Sequence, residues 1–185
     1  MDNTLDTPLG KVTLRAAREG DLEAFRELRL EALQENPASF GSDYAVNKAQ
    51  PKEFWVGRLN IGSENGKFFF ATHKDELVGM CGIMLGTSPK TRHNGTIVSV
   101  YVKPDWQGQH IARELIELCA NWGWEHGVKL LKLAVVANNA SAIRCYTGCG
   151  FSVYGVDPQA ICFEGKYFDE LLMVRLLTIN NNKRE

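Results

Sequence analysis

No basic field runs along this chain. Its 21 Lys and Arg are set against 22 Asp and Glu for a formal net charge of -1, and both signs are spread over the whole length. That balance excludes the electrostatic footprint of a nucleic-acid or anionic-membrane partner and leaves any anionic ligand to be held locally. No apolar run approaches the ~20 residues of a membrane span. The opening MDNTLDTPLG is acidic and polar where a secretory leader would be basic and apolar. The cysteines, Cys81, Cys119, Cys145, Cys149 and Cys162, are odd in number and none of them forms a C-x-x-C pair. Neither a disulfide framework nor a zinc site is therefore expected, even with His73, His93, His110 and His126 available. Two phosphate-binding patterns are missing as well: there is no G-x-x-x-x-G-K-[ST], and no G-x-G-x-x-G follows a strand, which removes the P-loop and dinucleotide-binding classes. What remains is a cytoplasmic protein with no metal, no membrane and no nucleic acid among its partners.

The 185 residues are 44% hydrophobic, enough for one core that buries roughly 70% of the unfolded chain's surface. Residues 1–10 read as a polar leader, 11–178 as one domain, and 179–185 as a frayed tail. Within the domain, KVTLRAA alternates as a strand, and the segment after Gly20 and Asp21 carries Leu22, Phe25, Leu28 and Ala32 at helical spacing. Turn formers dominate residues 34–51, and KEFWVGRLN resumes as a short helix. Residues 67–86 read as a hairpin about the polar turn 73–76, and residues 95–103 as a third strand. A helix over 109–126 puts Ile111, Leu115, Leu118, Cys119 and Trp122 on one stripe and stops at Gly127. The strand 129–136, a helix over 138–149, and two final strands complete the order β-α-α-β-β-β-α-β-α-β-β, an α/β chain with a mixed sheet and helices on both faces.

One junction concentrates chemistry. VYVKPDWQGQHIARELIELC passes from strand to helix through Gln107, Gly108, Gln109 and His110. A helix start leaves backbone N–H groups unpaired at the positive end of its dipole, so this is a natural anion site. Gly108 lets backbone come close to a ligand, and the flanking side chains add donors. The same residues also suit an ordinary helix start that meets only water.

These residues are similar to the acetyl-coenzyme A signature of the GNAT superfamily of N-acetyltransferases, Gln or Arg, two residues, Gly, one residue, then Gly or Ala. Gln107 and Ala112 match its ends, and His110 stands where the family usually has glycine. Downstream, NASAIRCYTGCGF resembles the family's second signature, an Asn followed by Ala, Tyr and Gly-Phe. The resemblance implies a GNAT-type fold, a mixed, mostly antiparallel twisted sheet, and transfer of an acetyl group from acetyl-CoA to a primary amine by direct attack. It further implies that Val100, Tyr101 and Val102 pair with the pantetheine arm and supply a backbone N–H to the tetrahedral intermediate. Gln107, Gly108, Gln109, His110, Ile111, Ala112 and Arg113 would hold the pyrophosphate, with Lys103 and Arg144 as further cations. Asn139 would bond the cofactor arm or cap its helix, and Tyr146 would protonate the departing thiolate. Relatives often pair, so a homodimer through a sheet edge is an open expectation.

Removing the proton of an unperturbed ammonium at pH 7 costs about 5 kcal/mol, so a base or water is needed. GTIVSVYV has no carboxylate, which leaves Asp169, Glu170 and Glu35 as candidates. The acceptor, a small-molecule or peptide amine, is expected between residues 34–51 and a connection at 156–166. Phe40, Tyr44 and Phe163 would line it, and Phe54 and Trp55 would pack beneath. Two other readings stand beside this one: a catalytically silent acyl-CoA sensor of the same fold, and an enzyme using Cys145 or Cys149 with His126.

Overall fold

Four successive apolar residues, Phe68 to Ala71, set the layering of the molecule. Neighbouring side chains on a strand point to opposite faces, so Phe68 and Phe70 enter one buried cluster while Phe69 and Ala71 enter another. A strand apolar on both faces has to lie between two layers. The computed structural model, which describes residues 3–59 and 61–177, has that arrangement.

In chain order the elements are β1 (Asn3–Thr7), β2 (Gly10–Ala16), α1 (Leu22–Glu35), α2 (Tyr44–Lys48), α3 (Lys52–Leu59), β3 (Gly66–His73), β4 (Glu76–Leu85), β5 (Asn94–Val102), α4 (Ile111–Glu125), β6 (Leu130–Val136), α5 (Ala140–Gly148), β7 (Ser152–Phe163) and β8 (Lys166–Leu176). The strands form one sheet in the order β1-β2-β3-β4-β5-β6-β8-β7. All neighbours are antiparallel except β5 and β6. Helices α1 and α3 cover one face, where Phe25, Leu28, Ala32, Trp55 and Leu59 meet Phe70, Met80 and Tyr101. Helices α4 and α5 cover the other, with Ile111, Leu115, Cys119 and Tyr146 against Ala71, Ile83 and Leu131.

Three stretches differ from the sequence reading. The stretch read as a polar leader carries β1, which hairpins onto β2; its side chains are mostly exposed, so no amphipathic alternation announced it. The turn-rich segment 34–51 holds a 3-10 turn, Pro37–Ser39, and α2, capped by Asp43 through Val46 N–H. Residues 156–163, read as a connection, continue β7. A bulge between Asp157 and Ile161 absorbs the polar run, and Pro158 is tolerated because β7 is an edge strand whose outer N–H groups need no ladder partner. The expected tail, 179–185, lies outside the described residues.

Strand β5 contains a second bulge. Met80 pairs with Tyr101 and Gly82 with Val98, one residue more on β5 than on β4, and Ser99 sits there at φ 56. The extra residue inverts the alternation: Ile97, Val100 and Val102 share the α4 side, whereas Val98 and Tyr101 face α1. Close packing of α4 on β4 then fixes where the helix begins. A Cβ at Gly79 would lie 3.3 Å from Ile111 Cγ2, the Tyr101 carbonyl oxygen and Val102 Cγ2. Gly79→Val should lift the first turn of α4 and cost about 1–3 kcal/mol of stability, the usual penalty of overpacking, measurable by urea denaturation.

Candidate active site

The parallel pair at the centre of the sheet is short. Strands β5 and β6 pair only from Asn94 with Leu130 to Thr96 with Lys132, while β5 runs on to Val102 and β6 to Val136. Past those pairs the strands part, and the facing edges of 97–102 and 133–136 are unpaired. The other edge of β6 is fully engaged by β8 from Leu130 to Val136. On β5, Tyr101 pairs with Met80 and the Lys103 N–H bonds the Val78 carbonyl. Backbone alternation therefore turns the N–H and C=O of Val102 toward the opening. Its carbonyl accepts the Gln107 side-chain amide at 3.0 Å, and its N–H is left for a ligand. A wedge with a free strand edge is what an extended amide-bearing arm can join.

At the mouth of the wedge, α4 begins. Its N-cap is His110, which has a left-handed backbone, φ 62, and makes no side-chain cap. The N–H groups of the first turn are therefore uncapped at the positive end of a 15-residue helix. Gly108 takes φ +75 with open space around it. The departure at His110 has a backbone explanation: the position needs positive φ, which glycine adopts freely and histidine only at a cost of roughly 1–2 kcal/mol. Ile111 buries its side chain in the core at 1% exposure, so it can offer a ligand only its amide. Gln109 is half-buried, Ala112 partly covered, and Arg113 exposed beside them. Lys103 is already committed, at 2.6 Å from Glu76 and 3.7 Å from Glu31, and Arg144 is exposed on α5.

Helix α5 flanks the other side. Asn139 caps it, its Oδ1 accepting from Ala142 N–H at 3.1 Å, which leaves the Nδ2 donors. Tyr146 is buried against Phe151 with ring centroids 6.3 Å apart, and its hydroxyl has no hydrogen-bond partner among the described residues. Burial pushes the phenol well above its usual range, with the thiols of Cys81, Cys145 and Cys149 adding to the effect. Beside it, a hydrogen bond with Cys149 draws the Cys145 thiol down to about 7 despite burial, helped by Arg113. The cysteine–histidine arrangement is not formed. Cys145 feels Arg113 at the start of α4, whereas His126 caps its end, bonding the Trp122 carbonyl and stacking on that ring at 4.0 Å. At 1.5 Å per residue those ends are roughly 20 Å apart.

Of the candidate bases, Asp169 accepts the Gln159 N–H at 2.8 Å and Glu35 lies exposed at the end of α1. Glu170 is different. It pairs with Val136 at the open end of β6, and since Leu171 and Met173 face α4 and α5, Glu170 faces the α1 side with Tyr101. Burial, and then the charge of Asp157, raises its carboxyl above the usual value. Sequence reasoning had no means of finding Glu31, which accepts the Tyr101 hydroxyl at 2.9 Å, or the bulge at Ser99, since β5 is apolar on both faces. Phe40 packs on the α1-side cluster, Tyr44 lies under Lys48, and Trp55 is core at 1% exposure.

A splayed parallel pair with an uncapped helix start at its mouth suits an extended ligand that has amides along its length and an anionic end. The chain belongs to the acetyltransferase (GNAT) family, whose model matches residues 22–151. It is therefore an acyltransferase with acetyl-coenzyme A as donor, and the residues present fit that donor: an unpaired strand edge for its amides and free helix N–H groups for its phosphates. The L-amino acid N-acetyltransferase AaaT of Escherichia coli (strain K12) is 26% identical over 173 residues, 91% of this chain and 99% of the relative. An acetyltransferase of the GNAT family from Streptococcus pneumoniae superposes with a TM-score of 0.79 at 20% identity, over 90% of this chain and 99% of the other. The yncA protein of Salmonella typhimurium, solved with its cofactor acetyl-CoA, gives 0.77 at 21% identity, over 90% and 94%. Among the described residues no helix is long and apolar enough to cross a membrane.

Replacing His110 by Gly should remove the left-handed strain. After the larger unfolded-state entropy of glycine is subtracted, the gain should be up to about 1 kcal/mol, read as a higher urea midpoint.

Proposed function

We propose that this protein acetylates a primary amine, on a small molecule or a peptide, with Tyr146 as acid and Glu170 as base. The observation that carries the reading is the wedge between β5 and β6 with the uncapped start of α4 at its mouth. Residues 107–113 hold the diphosphate through backbone N–H groups, with Arg113 adding charge. Val100 to Val102 align the pantetheine arm along the free edge, and the Val102 N–H polarises the acyl oxygen. Asn139 offers its Nδ2 to the same arm.

The amine nitrogen attacks the acyl carbon. Glu170, directly or through water, first takes the proton of the substrate ammonium and so frees the attacking lone pair. An N–C bond forms, the C–S bond breaks, and the thiolate takes the Tyr146 proton. The proton that the nitrogen loses on becoming an amide passes through water to the phenolate, restoring Tyr146. A phenol is a weaker acid than a thiol in water. In the apolar setting around Tyr146, however, the walls that raise the phenol also destabilise a departing thiolate, so the proton transfer is not as uphill as the solution values imply. Glu170 must be ionised to act, and its raised carboxyl brings the base nearer neutrality.

Tyr146→Phe should lower kcat by about 100-fold or more, the usual share of a general acid, with acetyl-CoA affinity by calorimetry within about 2-fold of the parent. An unchanged kcat at saturation would remove Tyr146 from the reaction. The pH profile supplies an independent check. Because burial and the charge of Asp157 hold Glu170 above the ordinary carboxyl value, kcat/KM should rise with pH through a point shifted up from that value, and Glu170→Gln should abolish that limb. The same sign governs stability: a raised carboxyl contributes most below its unfolded value and loses that contribution as pH rises through the folded one.

A further inference from the structure

Arg29, on α1, is 3% exposed, yet its Nε and Nη1 have no hydrogen-bond partner and none of the ion pairs among the described residues includes it. Its guanidinium lies over the Phe40 ring, 4.4 Å from the carbon to the centroid. The charge that acts on it most is of the same sign. Burial, and then Arg58, pulls the Arg29 guanidinium down to about 9, which still leaves it charged at neutral pH, and the buried Nε of Arg58 is unpartnered too. The helix faces explain the meeting. Phe25 and Arg29 are one turn apart on α1, Trp55 and Arg58 one turn apart on α3, and the Phe25 and Trp55 rings touch edge to face at 6.0 Å. The indole Nε1 of Trp55 is a further buried donor with no acceptor.

A buried cation beside a half-buried one, with no carboxylate between them, is an unfavourable arrangement unless an anion completes it. A guanidinium fork matches the two oxygens of a carboxylate. The cluster also lies on the acceptor side of the wedge. Phe40, which roofs Arg29, packs on the same cluster as Val98 and Tyr101. The 3-10 turn just before it, Pro37–Ser39, rests against β6 and β7. The roof over Arg29 thus reaches β6, which carries Val136, and β7, whose Asp157 pairs with Glu170 of β8. We infer that Arg29, with Arg58 behind it and Trp55 beside it, binds a carboxylate of the acceptor, so that the amine acetylated here carries a carboxylate near its nitrogen, as an amino acid does.

The link to turnover rests on the acetyl transfer proposed above; the carboxylate site itself does not. The test uses matched triplets: L-phenylalanine with its carboxamide and phenethylamine, and L-leucine with its carboxamide and isoamylamine. The carboxylate member should lead by about 100-fold or more in kcat/KM, the discrimination expected when a buried charge loses its partner. Arg29→Gln should erase that lead, largely through the amino acid's KM, and leave the acetyl-CoA KM unchanged. In parallel, the amino acids alone should raise Tm of the parent saturably and fail to do so in Arg29→Gln. That variant, relieved of an unpaired buried charge, should itself melt no lower than the parent. If amides and amines are acetylated as well as the amino acids, the carboxylate site is overturned while acetyl transfer stands. If no amine is acetylated, the Arg29-dependent Tm shift still decides: its presence supports the site, and its absence overturns it.

Discussion

The parting of β5 and β6 after three paired residues is the constraint on which the rest of this structure depends. A strand edge left open in the middle of a sheet forfeits ladder hydrogen bonds, and buried peptide groups are almost always paired. The neighbouring elements keep the strands apart. The outer edge of β6 is fixed by seven residues of pairing to β8, while the bulge at Ser99 increases the twist of β5. Helices α4 and α5, which leave the ends of the two strands, are wedged against the same core. The bidentate pair of Arg175 and Glu117, at 2.6 and 2.9 Å, ties α4 to β8 across that core. The opening is therefore held from both sides, and the polar edge it exposes is available to a ligand with amides of its own.

The helices of this fold were readable because each has a periodic stripe and a definite stop. Ile111, Leu115, Cys119 and Trp122 repeat on α4, and Gly127 and Gly150 end α4 and α5 at φ +84 and +83. The junction between β5 and α4 was readable for the same reason, since a strand that breaks into a helix through Gly108 has a physical consequence there. What escaped had no periodic trace. Strand β1 is exposed on most of its length, and β7 contains Pro158 and Gln159, which read as loop until a bulge at an edge gives them room. The inversion at Ser99 is invisible in a strand whose two faces are both apolar. Burial of charge is the hardest property to read: Arg29 sits in a helix with Arg26 and is indistinguishable from it in sequence, yet one is core and the other bonds the Lys48 carbonyl at 3.4 Å near the surface.

The bulge also divides labour between the faces. Because Tyr101 is turned toward α1, its hydroxyl can donate to Glu31, and Glu31 in turn holds Lys103, which also bonds Glu76. This chain of charge-assisted contacts fastens the end of β5 to α1 and to the first residue of β4. It takes Lys103 out of the pool of cations available to phosphate, although the lysine immediately follows the binding strand. Burial, with Glu31 as acceptor, holds the Tyr101 phenol protonated, so this group serves as a fixed donor to Glu31 and as a strut. In the proposed function the diphosphate is then left to backbone N–H groups and Arg113, which suits a loop whose N-cap residue contributes no side-chain cap of its own.

The two proton-handling groups of the proposed reaction fall on opposite sides of the sheet. Tyr146 belongs to the cluster under α4 and α5, whereas Glu170 is on the α1 side with Tyr101 and the Arg29 roof. An amine that approached from the α5 side would meet Tyr146, whose raised phenol can give a proton but holds it too tightly to leave a base behind. An amine arriving from the α1 side would meet a carboxylate that can accept one, on the face where Arg29 is buried beneath Phe40. In the proposed reaction the thiolate, which needs a proton, would then depart toward the phenol. Direction of attack would thus be set by which face carries the acid and which the base, with the wedge between β5 and β6 as an opening between the two faces.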